Sequence, residues 1–224
     1  MVPWLQANWL MSRTLVLVGV LCAGCPAGGD DHDVDGGVDS TGLTIGWATT
    51  PVVPGQIAAD RTVQDLRITY SSVQLVGDAA PADERTSTGT VELDWDERGA
   101  PAPLTFPEAP PGVYSTLALG ASGGSERVRI EGQIDLGAGG WRTFEIEDEA
   151  QNAASLPLEV YVRAGEHTTL PVELDVAAVL APIDFSRLPT DGDGTLELHA
   201  GDPQMPAVRT ALRTAVHVAA TPLP

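Results

Sequence analysis

The chain has 224 residues, 31 of them acidic and 12 basic, and its formal net charge is −19. Every basic residue is Arg and none is Lys. A field of that sign repels phosphate backbones and anionic headgroups, which excludes nucleic acid and charged lipid surfaces as electrostatic partners.

The first feature in chain order is a leader. Met11-Ser12-Arg13 makes a short basic start, and the apolar run from Thr14 to Leu21 has the length of a signal-peptide core. Met11 is the expected translation start. A bilayer-spanning helix needs about 20 apolar residues. Counting back that far from Gly24 takes in Arg13, Asn8 and Gln6, so a permanent span is the weaker reading.

The leader ends in Leu21-Cys22-Ala23-Gly24-Cys25. That stretch resembles the close of bacterial lipoprotein signal peptides, in which two small residues precede an invariant Cys. It departs from the pattern by placing Cys22 where Leu is usual and Leu21 one position early. The resemblance implies that residues 1–24 are removed, that Cys25 carries lipid, and that the mature chain is held at the cell envelope. Pro26, standing where some bacteria place an inner-membrane retention Asp, favours the outer membrane of a Gram-negative cell. An ordinary secretory signal with two incidental cysteines is the competing reading. No Cys follows Cys25, so the mature chain holds no internal disulfide. Several acyl chains anchor firmly where one binds only marginally.

Pro26 to Gly42 is Gly, Asp and other small residues, with Val34 and Val38 the only aliphatics larger than Ala. Such a composition cannot repay its ordering entropy, and residues 25–42 are expected to be a flexible acidic tether. Asp30, Asp31, His32, Asp33, Asp35 and Asp39 could chelate a hard cation weakly; a solvated spacer is the simpler reading.

From Leu43 onward the dominant signal has period two. Leu43, Ile45 and Trp47 share one parity, as do Val91, Leu93 and Trp95, while Val128, Ile130 and Ile134 alternate with Arg127, Arg129, Glu131 and Gln133. Each is a half-buried strand. Leu156 to Val162 and Leu170 to Val176 read as a hairpin joined through Ala164-Gly165-Glu166. Leu66, Ile68 and Tyr70 are out of phase with Val73 and Leu75, which predicts either a β-bulge near Ser71-Ser72 or a strand that passes between sheets there. Pro206 opens a short helix to about Thr214, followed by a closing strand. Residues 43–224 are therefore expected to form one all-β domain, an antiparallel sandwich of about nine or ten strands with one short C-terminal helix.

Leu66-x-Ile68-x-Tyr70-x-x-Val73-x-Leu75, together with Phe106-x-x-x-Pro110-Pro111-Gly112-x-Tyr114, resembles an uncharacterised family of bacterial envelope lipoproteins with a prealbumin-like or immunoglobulin-like sandwich. The Pro-Gly-x-Tyr piece is similar to a tyrosine corner, in which Gly112 makes the turn and the Tyr114 phenol bonds backbone upstream. The resemblance implies no chemistry, and no cofactor is expected.

Three candidate sites follow from the residues alone. Asp191, Asp193 and Glu197 sit at alternate positions around Gly192 and Gly194 like a piece of a calcium loop, but three carboxylates fall short of calcium's six to eight oxygens. A hairpin turn is the simpler reading. Trp95 and Trp141 could form a sugar platform, although Trp95 is in phase with core residues. Gly120-Ala121-Ser122-Gly123-Gly124 matches a nucleophile elbow, with Asp175 or Asp184 and then His199 or His217 following in hydrolase order. An elbow needs strand, turn and helix, whereas alternation resumes at Arg127 and predicts strand, loop, strand. A non-enzymatic binding or structural role is the expectation, with a carbohydrate- or calcium-dependent adhesion module and a serine hydrolase as alternatives. The expected partners are the membrane, reached through lipid on Cys25, and an envelope protein or glycan.

Overall fold

The computed structural model describes residues 41–78, 84–120, 126–150 and 152–219. The leader with Cys25, the tether as far as Ser40, and Ser122 lie outside the described residues.

The described residues are mostly strand, arranged in three sheets. The first sheet runs in the order β14 (Val216–Val218), β12 (His167–Asp175), β1 (Gly42–Thr50), β7 (Leu104–Phe106). The second runs β13 (Leu196–His199), β10 (Trp141–Asp148), β9 (Arg127–Asp135), β3 (Arg61–Tyr70), β2 (Gly55–Ala58), with β6 (Val91–Trp95) also pairing β3. The third runs β11 (Ala154–Val162), β8 (Gly112–Leu119), β4 (Val73–Gly77), β5 (Ser87–Thr88). Fourteen strands appear among the described residues, more than the alternation suggested, because β2, β5 and β7 are too short to show a period; the expected closing strand is β14.

Two pairings correct the expectation of a purely antiparallel sandwich. β1 lies parallel to β12 along its whole length, from Gly42 beside His167 to Thr50 beside Asp175, and β10 lies parallel to β13. Parallel partners must be distant in sequence, and local alternation carries no information about them.

The expected hairpin of β11 with β12 is likewise not formed. β11 pairs β8 in the third sheet, whereas β12 pairs β1 and β14 in the first. Both strands keep the predicted apolar faces, but the link through Gly165 carries the chain from one sheet to another. The segment after β8 behaves the same way, since β8 belongs to the third sheet and β9 to the second. At Ser71-Ser72 the phase change marks a passage between sheets: β3 pairs β9 and β6, and β4 pairs β8.

β1 begins at Gly42, inside the stretch read as tether. A Cβ at Gly42 would lie 2.6 Å from the His167 ring, so a larger residue there would have to push that exposed ring aside. The Gly42 N–H donates to the Glu166 carbonyl, and Thr41 Oγ1 accepts from Gly165 N at 2.7 Å. Thr41 and Gly42 thus rest on the β11–β12 link.

Among the described residues there are two α-helices where one was expected. α1 (Val176–Leu180) starts where β12 ends, capped by Asp175, whose side chain accepts from Ala178 N. α2 (Met205–Ala215) has Pro in its first turn and buries Val208, Leu212 and Ala215 on one stripe, the helical period. One continuous core draws from all three sheets and both helices, including Leu43, Leu66, Leu75, Phe144, Leu180 and Val208. Each such side chain contributes about 1.5–3 kcal/mol when fully buried.

Candidate functional site

The second sheet turns most of its charged side chains outward because its strands alternate. On β9, Val128, Ile130 and Ile134 are buried, which leaves Arg127, Arg129 and Glu131 on the other face. Register then aligns like residues across strands: Glu197, Glu145, Glu131 and Asp65 form one row on β13, β10, β9 and β3. The adjacent row reads His199, Glu147, Arg129, Arg67 and Asp94. Neighbouring strands are about 4.8 Å apart, and like charges directly opposite repel. The arginines of the second row offset this, with Arg129 reaching Glu131 at 2.6 Å and Glu145 at 2.9 Å.

At the β3–β6 end of this face, three carboxylates converge. Asp65, Asp94 and Asp96 each offer an oxygen within 4.8 Å of the others. A register shift between Val63 and Asp65 is what aims Asp65 outward. Arg98 donates its backbone N–H to Asp96 at 2.7 Å and its Nε at 2.6 Å, and its Nη2 reaches Asp94 at 3.2 Å. Arg67 donates to the same Asp94 oxygen at 3.1 Å, while Asp94 Oδ1 is buried without a hydrogen-bond partner. The environment separates the carboxyls. Desolvation, reinforced by the Asp94 charge, raises the pKa of Asp65, whereas the Arg98 hydrogen bond lowers that of Asp96. Gln64, Asp65, Asp96, Glu97, Arg98 and Glu131 line an open depression of about 420 Å³. Among the described residues this trio is the only group of three or more Asp, Glu, His or Cys side chains spaced to share a metal ion. Two of its members already hold guanidinium groups, so a cation would have to displace Arg98, whose side chain is 79 % exposed.

The calcium-loop candidates are not brought together. Asp191 Oδ1 accepts from Asp193 N at 2.9 Å and from Thr195 N at 2.7 Å, so its carboxylate shapes its own turn. Arg142 Nε clamps that turn through the Gly194 carbonyl at 3.1 Å. Glu197 instead lies on the charged sheet face, 3.1 Å from His199.

Tyr114 is 1 % exposed and donates to the Pro110 carbonyl at 2.8 Å, with Gly112 at the turn between them (φ 155°). The proposed hydrolase partners have local duties. Asp175 caps α1, Asp184 bonds Ser186 and Arg187, His199 sits beside Glu197, and His217 lies 3.6 Å from Glu173. Trp95 is 3 % exposed and Trp141 51 %, so the two do not form a shared platform.

Two polar sites were missed from the sequence. Glu126, 2 % exposed, accepts from Ser71 Oγ at 3.2 Å and from the Asn152 backbone N–H, joining the sheet crossing to the segment after β10. Gly120 makes room for it: φ is +67° there, and a Cβ would collide with the Glu126 carboxylate. Asp148, 1 % exposed, receives both Nε and Nη2 of Arg209 at 2.7 Å, which pins α2 to β10. A signal for Asp148 exists, because it shares the parity of the buried Phe144 and Ile146 and an acid in that phase needs a partner. Glu126 has no such signal, standing between a Gly/Ser loop and a strand.

No family model, curated protein or solved structure matches the chain.

Proposed function

We propose that the protein is a lipid-anchored component of a bacterial cell envelope whose β domain acts by binding or by structural display and performs no chemistry of its own. In this reading the three sheets enclose their core as an immunoglobulin- or prealbumin-like sandwich, lipid on Cys25 is the membrane contact, and the outer membrane is the site. The observation that supports a display role is the outer face of the second sheet, where rows of acids and arginines form a broad, rigid ionic surface. A strand-borne array of that kind presents fixed charges to a protein or glycan partner without enclosing a substrate. Metabolic labelling with a fatty-acid analogue tests the anchor. Cys25→Ser is expected to abolish labelling and Cys22→Ser to leave it intact; labelling that survives Cys25→Ser overturns the reading.

A second reading, calcium-dependent adhesion, is supported by the Asp65, Asp94 and Asp96 geometry. It requires Arg98 to leave the carboxylates. Thermal melts with and without millimolar calcium separate the two readings: a calcium-dependent rise in Tm that disappears in Asp96→Asn favours adhesion, and an unchanged Tm favours display.

A further inference from the structure

Trp141 opens β10 and is 51 % exposed, a large hydrophobic side chain left in solvent. Strand parity puts it on the outer face of the second sheet, because Phe144 and Ile146 fill the inward phase of β10. There it lies opposite Asp135 of β9. Four residues further along β10, about 13 Å away at the rise of a strand, Glu145 stands in the row it shares with Glu197, Glu131 and Asp65. Among the described residues, the outward positions of β3, β6, β9 and β10 carry Arg67, Arg127 and Arg129 as their cations, and each already lies within 4.0 Å of a carboxylate of this face.

We infer that this face docks a basic segment of a partner protein, with one Arg or Lys stacked on the Trp141 indole and further cations paired to the row of Glu145, Glu131 and Asp65. The inference rests on the display role proposed above and names the partner that role takes. Charge complementarity carries it. Arg129 is shared between Glu131 at 2.6 Å and Glu145 at 2.9 Å, so one cation serves two acids and the row keeps a negative charge. The whole chain adds a field of the same sign, with a formal net charge of −19, which draws cationic partners in and turns anionic ones away. An indole face attracts a cation held over it, so Trp141 extends the same preference to the end of the sheet. The spread of the site selects a chain over a small ligand: a single metal ion cannot reach both Trp141 and the Glu145 row, whereas an extended segment covers that distance in four residues. A neutral glycan would stack on Trp141 but leave the carboxylate row uncompensated, and a second copy would bring the same acids against it.

The test is fluorescence polarisation of a labelled synthetic peptide of alternating Arg and Thr, titrated with the full chain. Saturable binding that weakens as salt rises is expected. Replacing Glu131→Gln together with Glu145→Gln is expected to weaken it about fivefold, the effect of losing two exposed ion pairs. Glu159→Gln with Glu166→Gln removes the same charge from β11 and the β11–β12 link, outside the second sheet, and is expected to leave the affinity near that of wild type. Trp141→Ala is expected to weaken binding about threefold. Absence of binding, equal weakening by the two double variants, or wild-type affinity in Trp141→Ala overturns the inference. So does displacement of the peptide by a neutral oligosaccharide, or self-association of the chain that Trp141→Ala abolishes. If the Glu131→Gln, Glu145→Gln variant fails to fold, Trp141→Ala decides the question by itself, since that side chain is half in solvent. Fatty-acid labelling at Cys25 is read separately: a chain that is labelled but binds no peptide loses the basic partner and keeps the display role.

Discussion

The Tyr114 hydroxyl donates to the carbonyl of Pro110, four residues upstream, at 2.8 Å in a fully buried setting. Tyr114 lies in β8, the strand shared by β4 and β11, so this bond fixes the approach of the Pro110-Pro111-Gly112 turn to the third sheet.

Tyr114→Phe keeps the ring in place and removes the hydroxyl. The Pro110 carbonyl then loses that donor in a buried site, which costs about 1–3 kcal/mol. Urea unfolding is expected to show a lowered midpoint with an unchanged slope. A midpoint equal to wild type would show that water replaces the phenol.

The Asp148–Arg209 pair predicts an acid-sensitive fold. The Arg209 hydrogen bonds hold the Asp148 carboxyl below its ordinary value, despite burial acting in the opposite direction. A depressed folded pKa contributes stability above the unfolded value of about 3.9, and that contribution is lost as pH falls through the folded value. Asp148→Asn is therefore expected to flatten the loss of stability below about pH 4. Arg209→Met leaves a carboxylate that is 1 % exposed without its cation, at a cost of about 3–5 kcal/mol near neutral pH. Denaturant melts from pH 3 to 7 check both outcomes. An acid profile in Asp148→Asn that parallels wild type contradicts the assignment.

Deleting Ser71 or Ser72 shortens the passage from β3 to β4. Val73 and Leu75, both 0 % exposed, lie immediately beyond it, and a one-residue slip turns a strand's faces over. Losing two such side chains from the core costs several kcal/mol, at about 1.5–3 kcal/mol each. The deletion is expected to lower Tm sharply or prevent folding. Wild-type stability would mean that the crossing has slack to absorb a residue.

The hydrolase alternative is tested at Ser122. Wild-type protein is expected to resist a fluorophosphonate probe, and Ser122→Ala to leave Tm unchanged. Stoichiometric labelling that vanishes in Ser122→Ala would establish a reactive serine and displace the binding role.

Local alternation by itself determined which residues face inward on β1, β3, β9, β11 and β12, because side-chain direction in a strand depends only on position along that strand. It also marked a phase break at Ser71-Ser72, which left a bulge and a passage between sheets both open until pairing decided it, and the helix at Pro206, since proline favours a first turn. Alternation carries no information about which strands pair. β11 and β12 look like a hairpin because both carry one apolar face, but an apolar face specifies burial without specifying against what. The parallel pairing of β1 with β12 joins residues more than a hundred positions apart, and only the folded core decides it. The charged rows of the second sheet have the same origin. Arg129, Glu145 and Glu131 are each legible as outward-facing, but their contacts depend on cross-strand register. Asp65 belongs to the acidic trio only because a bulge re-aims it. Glu126 lies further from any sequence signal, because segments distant in the chain close together around its carboxylate.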